Sequence, residues 1–435
     1  MSSPPPRAPL PPLVQDVYDR LATLGIPTDS VYCRRILIDF NLRPELSACS
    51  ELFWRIFYLT RDAHRTPPVS CTVGERRVGV TPIQEIWDMN FVHHPSGLVE
   101  LAHEGVTVES VLEGRLRKRA LAPRADLSSV LSVVEDSLLY LNSPELTGEL
   151  VEHATAILHR QTGTREAPAV VRAVQRFVHH YRLMPRIVPE WLTRFAAAAH
   201  SHYATLLPSA SRDRSIFPEE MSAAISSLFI LEKLVPSCGR DRGQLAAAIG
   251  RACAWANDPV KSGLLWSAEC RLGTRNVWRL RASLFEMLDE HRTRRVLPAY
   301  IRGFLLAHEF APVQPRLAAE LVSKAFERLP DEALVSWLPR LIVELRRLDA
   351  GVLALLVRDA FMSFPRDLSL LLNWEGPWES EPEVEDSAAL SEEQAAARSL
   401  REASARALCV AYPASMSALA SMFEEAPPPQ PWPAS

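Results

Sequence analysis

The feature that most constrains the fold is a long series of helical apolar patterns after residue 97, separated from one another by prolines. Apolar residues recur every three or four positions within each pattern, a spacing that places them on one face of a helix. A proline in the first turn of a helix is tolerated, because the N–H that it lacks has no intrahelical partner there. The segments predicted as helices are 126–142, 144–159, 168–182, 190–206, 218–235, 243–256, 259–272, 276–292, 298–308, 315–328, 331–347 and 350–362.

The loops between these segments are short, which favours antiparallel packing of consecutive helices. Each pair then covers about 35 to 45 residues, the length of a common helical-repeat unit. No strict motif recurs at that period, so the array is expected to be irregular. The sequence therefore predicts a mainly α protein, built as an irregular HEAT-like stack of antiparallel helix pairs.

The N-terminal part contains a different pattern, in residues 69–92. Apolar residues alternate with polar ones there, and a Gly-Glu-Arg-Arg turn interrupts them. The alternating residues are Val69, Cys71, Val73, Val78, Val80, Trp87, Met89 and Phe91. A spacing of two with β-branched and aromatic residues is typical of strands. It predicts one small β-hairpin or three-stranded sheet near residues 69–92, after helices at 13–24 and 47–61.

Shifts in composition divide the chain into six segments. We expect a disordered Pro-rich lead at 1–12, N-terminal helices with the small β element at 13–125, a helical-repeat-like array at 126–373, an acidic linker at 374–394, C-terminal helices at 395–425 and a Pro-rich tail at 426–435. The linker is assigned because residues 375–394 contain eight acidic residues and no basic one, a composition typical of exposed segments.

Charge and cysteine content restrict the class of protein. The formal net charge of the 435 residues is −4, which argues against a polyanion-binding face as the main function. The seven cysteines are scattered and form no CxxC pair, as expected for reduced thiols. The start MSSPPPRAPLPP is unlike a signal peptide, and the apolar stretches are broken by charge before about 18 residues. We therefore expect a cytoplasmic protein with no membrane segment.

Two adjacent histidines suggest a metal site. His93 and His94 are followed by Glu100 and His103, whose ExxH spacing places both side chains on one helix face. Di-iron bundles use two such steps with further carboxylates, but no second ExxH occurs here, and HExxH is also absent. The alternative function is therefore a metal-dependent hydrolase that uses His93, His94, Glu100 and His103. The simpler interpretation is that the histidines lie at a strand end, one packed and one solvated.

Other patterns predict no catalytic residues and no cofactor. Histidines 179–180 and 200–202 are interpreted as partly buried polar residues, because adjacent positions point to different sides of a helix. The chain has no GxSxG elbow, no GxxxxGK[ST] loop and no GxGxxG loop. We therefore expect a protein that is not an enzyme.

Basic residues form two short clusters. One comprises Arg115, Arg117, Lys118 and Arg119, and the other Arg292, Arg294 and Arg295. Neither is interleaved with aromatic residues, so nucleic-acid binding is disfavoured and pairing with acids is expected. Arginine is enriched at protein interfaces, which favours a protein partner for these clusters.

Four segments resemble parts of one bacterial protein family. They are DRLATLGIP (19–27), IQEIWDMNFVHHPSGLVELAHEGVTVES (83–110), YIRGFLLAH (300–308) and LPDEALVSWLPRL (329–341). Through them, residues 13–365 are similar to the helical C-terminal half of a family of uncharacterised proteins. Its members are commonly encoded beside MoxR-type AAA+ ATPases and proteins with a von Willebrand factor A domain. The shared motifs consist of packing residues.

The resemblance implies a protein partner but no catalytic residues. Family members carry an additional N-terminal region that looks like an enzyme-type α/β domain, and nothing in this chain corresponds to it. The matching half offers no catalytic residues, while a MoxR-type ATPase or its A-domain companion is the implied partner, in a chaperone-like or conflict-related assembly. Stacked helix pairs present grooves that bind proteins. We therefore expect a non-catalytic helical scaffold or adaptor that binds other proteins.

Overall fold

The computed structural model describes residues 10–26, 34–61, 67–78, 80, 83–91, 96–183, 188–235 and 242–363. The described residues up to Ser363 form one compact unit. The segments predicted at 374–394, 395–425 and 426–435 lie outside the described residues, as does most of the lead at 1–12. None of the helices in the described ranges is both long enough and apolar enough to cross a membrane.

Helices make up most of the described chain, and three short strands lie near its start, so the predicted mainly α fold is confirmed. The strands are β1 (Arg34–Asp39), β2 (Val69–Val73) and β3 (Gln84–Met89). The helices are α1 (Pro12–Thr23), α2 (Ser47–Thr60), α3 (Ser96–Leu101), α4 (Val108–Ala120), α5 (Leu127–Asp136), α6 (Pro144–Arg160), α7 (Ala167–Leu183), α8 (Glu190–Arg212), α9 (Pro218–Leu234), α10 (Arg242–Trp255), α11 (Pro259–Leu272), α12 (Val277–Asp289), α13 (His291–Arg294), α14 (Leu297–Leu306), α15 (Gln314–Arg328), α16 (Asp331–Leu345) and α17 (Ala350–Ser363).

The strands form one antiparallel sheet in the order β1-β3-β2. Trp87 of the central strand pairs with Cys71, after which the register of β2 shifts. The small sheet predicted near residues 69–92 is confirmed, but its third strand is β1. Val78 and Val80, which continue the alternation in the sequence, lie outside the strands. β1 reaches β3 only after the chain has passed through α2, so no hairpin pattern in the sequence marks it.

The sheet packs on α2 around a buried carboxylate. Glu85 is fully buried and accepts hydrogen bonds from Ser50 Oγ at 2.7 Å, Trp54 Nε1 at 2.7 Å and Trp87 Nε1 at 2.8 Å. The rings of Trp54 and Trp87 meet edge to face, with centroids 4.8 Å apart. Three donors offset the desolvation of the charge, which would otherwise be prohibitive. The inner face of β3 therefore carries a polar centre as well as aromatic packing.

Several helices begin where the sequence predicts. Thr107 caps α4, because its Oγ1 accepts a hydrogen bond from the Ser110 N–H at 3.2 Å. Asp126 caps α5 through the Ser129 N–H at 2.7 Å, and α6 begins at Pro144. These caps satisfy N–H groups that the helix itself leaves without partners.

Two glycines near helix ends differ in role. Gly25 has a φ of 74°, and the next residue, Ile26, donates its N–H to the Leu21 carbonyl at 2.8 Å, which closes α1. Gly105 has no positive φ. A Cβ there would lie 2.6 Å from Ser110 Oγ, so Gly105 is required by close packing on α4 and does not close a helix through a left-handed conformation.

From α5 onward, helices contact mainly those one to three places away in the chain. The broadest contacts join α8 to α10 and α11 to α14. A core of apolar side chains runs through these contacts. Packing against near neighbours in sequence is the arrangement of a stacked helical array.

Glycines allow α11 and α14 to cross closely. A Cβ on Gly303 would lie 2.2 Å from the Val260 carbonyl oxygen, and one on Gly263 would lie 2.7 Å from the Tyr300 carbonyl oxygen. Beside this crossing, Trp266 and Tyr300 stack with ring centroids 4.7 Å apart. The glycine of the segment YIRGFLLAH is therefore a backbone contact point between two helices.

The helix predicted at 276–292 is interrupted in the structure. Glu290 adopts an extended conformation, so α12 ends at Asp289 and the short α13 begins at His291. Asn276 caps α12 by accepting hydrogen bonds from two N–H groups of its first turn. The interruption turns the chain and brings the basic residues of α13 towards α16.

Candidate functional site

Of the four residues of the predicted metal alternative, the structure describes only Glu100 and His103. The pair His93–His94 falls outside the described residues, Glu100 is exposed on α3, and the His103 side chain is 78% exposed. The neighbouring Glu104 is held by Arg115 through hydrogen bonds of 2.7 and 2.9 Å, and these bonds keep the pKa of its carboxyl below the ordinary value. Glu104, whose Oε1 lies 4.0 Å from His103 Nε2, is therefore committed to an arginine.

Among the described residues, no three His, Cys, Asp or Glu side chains lie together as a metal site requires. His200 is buried, with Nε2 3.4 Å from Glu232 Oε1. His202 Nε2 lies 3.1 Å from the Gln161 carbonyl oxygen. The pair 179–180 has one exposed and one half-buried histidine on α7. His180 and His202 are thus partly buried, as interpreted, whereas His200 is buried and His179 is exposed.

The basic cluster at 115–119 pairs with acids of the same chain. Besides the Arg115 pair, Arg117 donates to Glu149 at 2.9 Å, and Arg119 donates to Asp136 at 2.7 Å. The hydrogen bond to Glu149 raises the pKa of the Arg117 guanidinium. These arginines join α4 to other helices, which leaves little of their charge for an external polyanion.

The described cysteines are poor nucleophiles. Burial raises the pKa of Cys49 to about 12 and that of Cys71 to about 11, and it also raises the pKa of Cys253 and Cys270. The thiolate is the reactive form of cysteine. These four side chains therefore remain protonated near neutral pH and serve packing.

The second basic cluster borders a cleft beside α16. Its cationic end has a volume of about 300 Å³ and its apolar end about 310 Å³. Arg295 and Arg340 line both ends, so the two adjoin each other, and we name the whole the α16 cleft. The cationic end also includes His291, Arg294, Ser336 and Trp337, and the apolar end includes Pro298, Ala299, Pro339 and Val343.

The turn at α13 positions the arginines of the cleft. Arg294 donates from Nε to the Leu288 carbonyl at 2.7 Å and from Nη2 to the Asp289 carbonyl at 2.9 Å. These bonds satisfy the last carbonyls of α12 and hold Arg294 in place. Arg295 and Arg340 are exposed, and within the described part of the chain neither forms an ion pair or a hydrogen bond.

Acidic residues only partly offset the positive charge of the arginines in the α16 cleft. Glu344 at the apolar end accepts from Arg302 at 3.1 Å and from Arg347 at 3.0 Å, so its charge is already matched. Arg302 is buried on α14 and also pairs with Glu219. At the cationic end, Glu332 faces three arginines. The cleft is therefore locally positive on a chain whose net charge is −4.

A buried donor lines the cationic end. Trp337 is 2% exposed, and its indole Nε1 has no hydrogen-bond partner among the described residues. A buried N–H without a partner costs about 1–3 kcal/mol. A ligand oxygen at this end would offset that cost.

The sequence predicts half of this arrangement. The arginines at 292–295 are expected there as a protein contact, whereas Trp337 and Arg340 lie in LPDEALVSWLPRL, a segment interpreted as packing. Their spacing of three places them on one face of α16. No local pattern indicates that this face lies opposite α13, because the two segments are separated by α14 and α15.

Comparisons with protein-family models, with curated proteins and with solved structures found no match. The residues that line the α16 cleft indicate which ligands it favours. Guanidinium groups bind carboxylates through paired hydrogen bonds, and the adjoining proline, alanine and valine surface favours apolar groups.

Proposed function

We propose that this chain is a non-catalytic helical scaffold or adaptor that binds another protein. The observation that carries the proposal is the α16 cleft, where Arg295 and Arg340 are exposed beside an apolar surface. Arginine is enriched among the residues that dominate the energy of protein interfaces. The stacked helices support this function, because they hold the two sides of the cleft on packed elements.

The partner in this proposal is a MoxR-type AAA+ ATPase or its von Willebrand A-domain companion, in a chaperone-like or conflict-related assembly. The support is the resemblance of residues 13–365 to the helical half of the family encoded beside such proteins. The proposed assembly is cytoplasmic. The chain has seven scattered cysteines, and an odd number without a pairing pattern favours reduced thiols.

The test is affinity capture with the tagged full chain in native lysate, quantified by mass spectrometry against the tag alone. Captured proteins are then purified and titrated with the chain, and the stoichiometry is measured by analytical ultracentrifugation. We expect a stoichiometric complex with an ATPase or an A-domain protein. The absence of any protein that re-forms a stoichiometric complex from purified components would overturn the proposal.

Two double variants localise the binding. Arg295→Glu with Arg340→Glu reverses the charge of the cleft and is expected to weaken the complex about tenfold or more. The control, Arg172→Glu with Arg251→Glu, changes the same charge at exposed positions of α7 and α10, outside the cleft. It is expected to change the affinity by no more than about twofold.

A further inference from the structure

We propose that the α16 cleft binds a short extended segment of a partner protein in which acidic side chains adjoin apolar ones. This inference rests on the proposed scaffold function and adds the chemistry of the occupant. The acidic side chains lie at the cationic end, and the apolar side chains lie on the surface formed by Pro298, Ala299, Pro339 and Val343.

The length of the cleft fits a peptide. Its lining residues run along α16 from Pro330 to Glu344, a distance of about 21 Å at the rise of an α-helix. An extended chain covers that distance with about six residues. A single small anion would occupy only the cationic end and leave the apolar end exposed to water.

The cationic end is suited to carboxylates. Arg294 is fixed by its bonds to the end of α12, while Arg295 and Arg340 have their guanidinium groups exposed. Each exposed guanidinium can bind a carboxylate through two parallel hydrogen bonds. The indole N–H of Trp337 supplies a further donor that no described residue uses, and an oxygen of the segment satisfies it.

The apolar end of the cleft favours apolar side chains in the bound segment. Val343 is 51% exposed, although it lies next to the buried core of α16. Covering apolar surface contributes about 25 cal/mol per Å² removed from water. A leucine-sized side chain on this surface therefore adds affinity that a purely acidic segment lacks.

The same residues disfavour a nucleic acid. Glu332 lines the cationic end of the cleft, where it would repel a continuous phosphate backbone. Trp337 is only 2% exposed, so its ring face offers no platform for stacking a base. Two exposed arginines also give a short patch in place of the basic stripe that polyanion binding requires.

The test uses a random dodecapeptide phage library selected on the immobilised full chain. The library is first depleted on the Arg295→Glu/Arg340→Glu variant, whose substitutions are at exposed positions and leave the core unchanged. Enriched peptides are synthesised with a fluorescein label and titrated by anisotropy at several salt concentrations. We expect enriched peptides with glutamate or aspartate next to leucine, isoleucine or phenylalanine.

Variants of both molecules separate the two ends of the cleft. Replacing the acids by amides, or the apolar residues by alanine, is expected to weaken peptide binding about tenfold in each case. Trp337→Phe removes the indole N–H together with part of the buried ring, so it should weaken peptide binding severalfold and, through the cavity it leaves, lower the melting temperature. The Arg172→Glu/Arg251→Glu control should bind as the wild type does.

Three results would overturn this inference. They are a selection with no enrichment, enriched peptides without acidic residues, and an oligothymidine that displaces the peptide and binds more tightly. If a partner protein binds the wild type and the Arg295→Glu/Arg340→Glu variant equally, the scaffold function stands and the cleft is not its site. If no partner protein binds the wild type, the scaffold function itself fails.

Discussion

The crossing of α11 and α14 gives a sharp test of the packing. In Gly303→Ala the new Cβ would lie 2.2 Å from the Val260 carbonyl oxygen and 2.9 Å from the Leu264 backbone nitrogen. Backbone atoms cannot rotate away, so the helices must separate by about 1 Å, which forfeits part of the dispersion energy across the contact. Overpacking of this kind costs about 3 kcal/mol and lost contacts about 1 kcal/mol, while alanine regains about 1 kcal/mol of helix propensity. The net expectation is a loss of about 3 kcal/mol in the free energy of unfolding.

The assay is thermal and urea unfolding of Gly303→Ala, followed by circular dichroism and tryptophan fluorescence. Gly250→Ala is the matched control, because its Cβ would meet nothing within 4 Å inside α10. The control should stabilise the protein by about 0.5–1 kcal/mol, since alanine is the better helix former. Gly263→Ala should fall between Gly303→Ala and the wild type, as its Cβ would lie 2.7 Å from the Tyr300 carbonyl oxygen.

The sign of the two effects decides the matter. A Gly303→Ala variant that unfolds at or above the wild-type midpoint, alongside a stabilised Gly250→Ala, would show that the helices do not approach as closely as 2.2 Å implies. Equal destabilisation by both substitutions would also refute the argument. The loss of stability would then come from replacing a helical glycine in general, and not from the close crossing of α11 and α14.

Three further predictions concern other parts of the molecule. Glu85→Leu leaves three buried donors without an acceptor and should destabilise the protein by about 3–5 kcal/mol in urea unfolding; a loss below about 1 kcal/mol would contradict the role of the carboxylate. Burial lowers the pKa of His202, so the folded chain favours the neutral imidazole more than the unfolded chain does. Its contribution to stability is therefore complete above about pH 6.5 and is lost as the pH falls through the folded pKa; His202→Gln should flatten this part of the stability profile, and an unchanged slope would count against it. Elemental analysis should find no stoichiometric zinc or iron in purified protein, whereas metal that disappears in both His94→Ala and His103→Ala would favour the hydrolase alternative.

The elements of the fold follow largely from local patterns. The capping residues Thr107 and Asp126 mark helix starts in the sequence and act as caps in the structure. The strand β1 was missed, because its partner β3 lies beyond α2 and no hairpin links the two strands. The long helix predicted at 276–292 was also wrong in its continuity, since no proline or glycine in the charged stretch 289–295 marks the break at Glu290.

The candidate site follows less directly. The arginines at 292–295 are visible as a basic cluster, yet their neighbours Trp337 and Arg340 look like packing residues in the sequence. The opposite holds for the cluster at 115–119, which is more basic in the sequence but pairs with Glu149 and Asp136 in the fold. Whether an arginine is free or paired depends on residues distant in the chain.

The sequence by itself determined the mainly α class, the position of one small sheet and most helix boundaries. These depend on periodicity, caps and turns, which act over a few residues. Only the tertiary structure decided that Gly303 lies against Val260, that Glu85 is held by two indoles, and that α13 and α16 border one cleft. Such contacts join segments that are far apart in the chain, and short-range patterns carry no information about which surfaces meet when the helices pack.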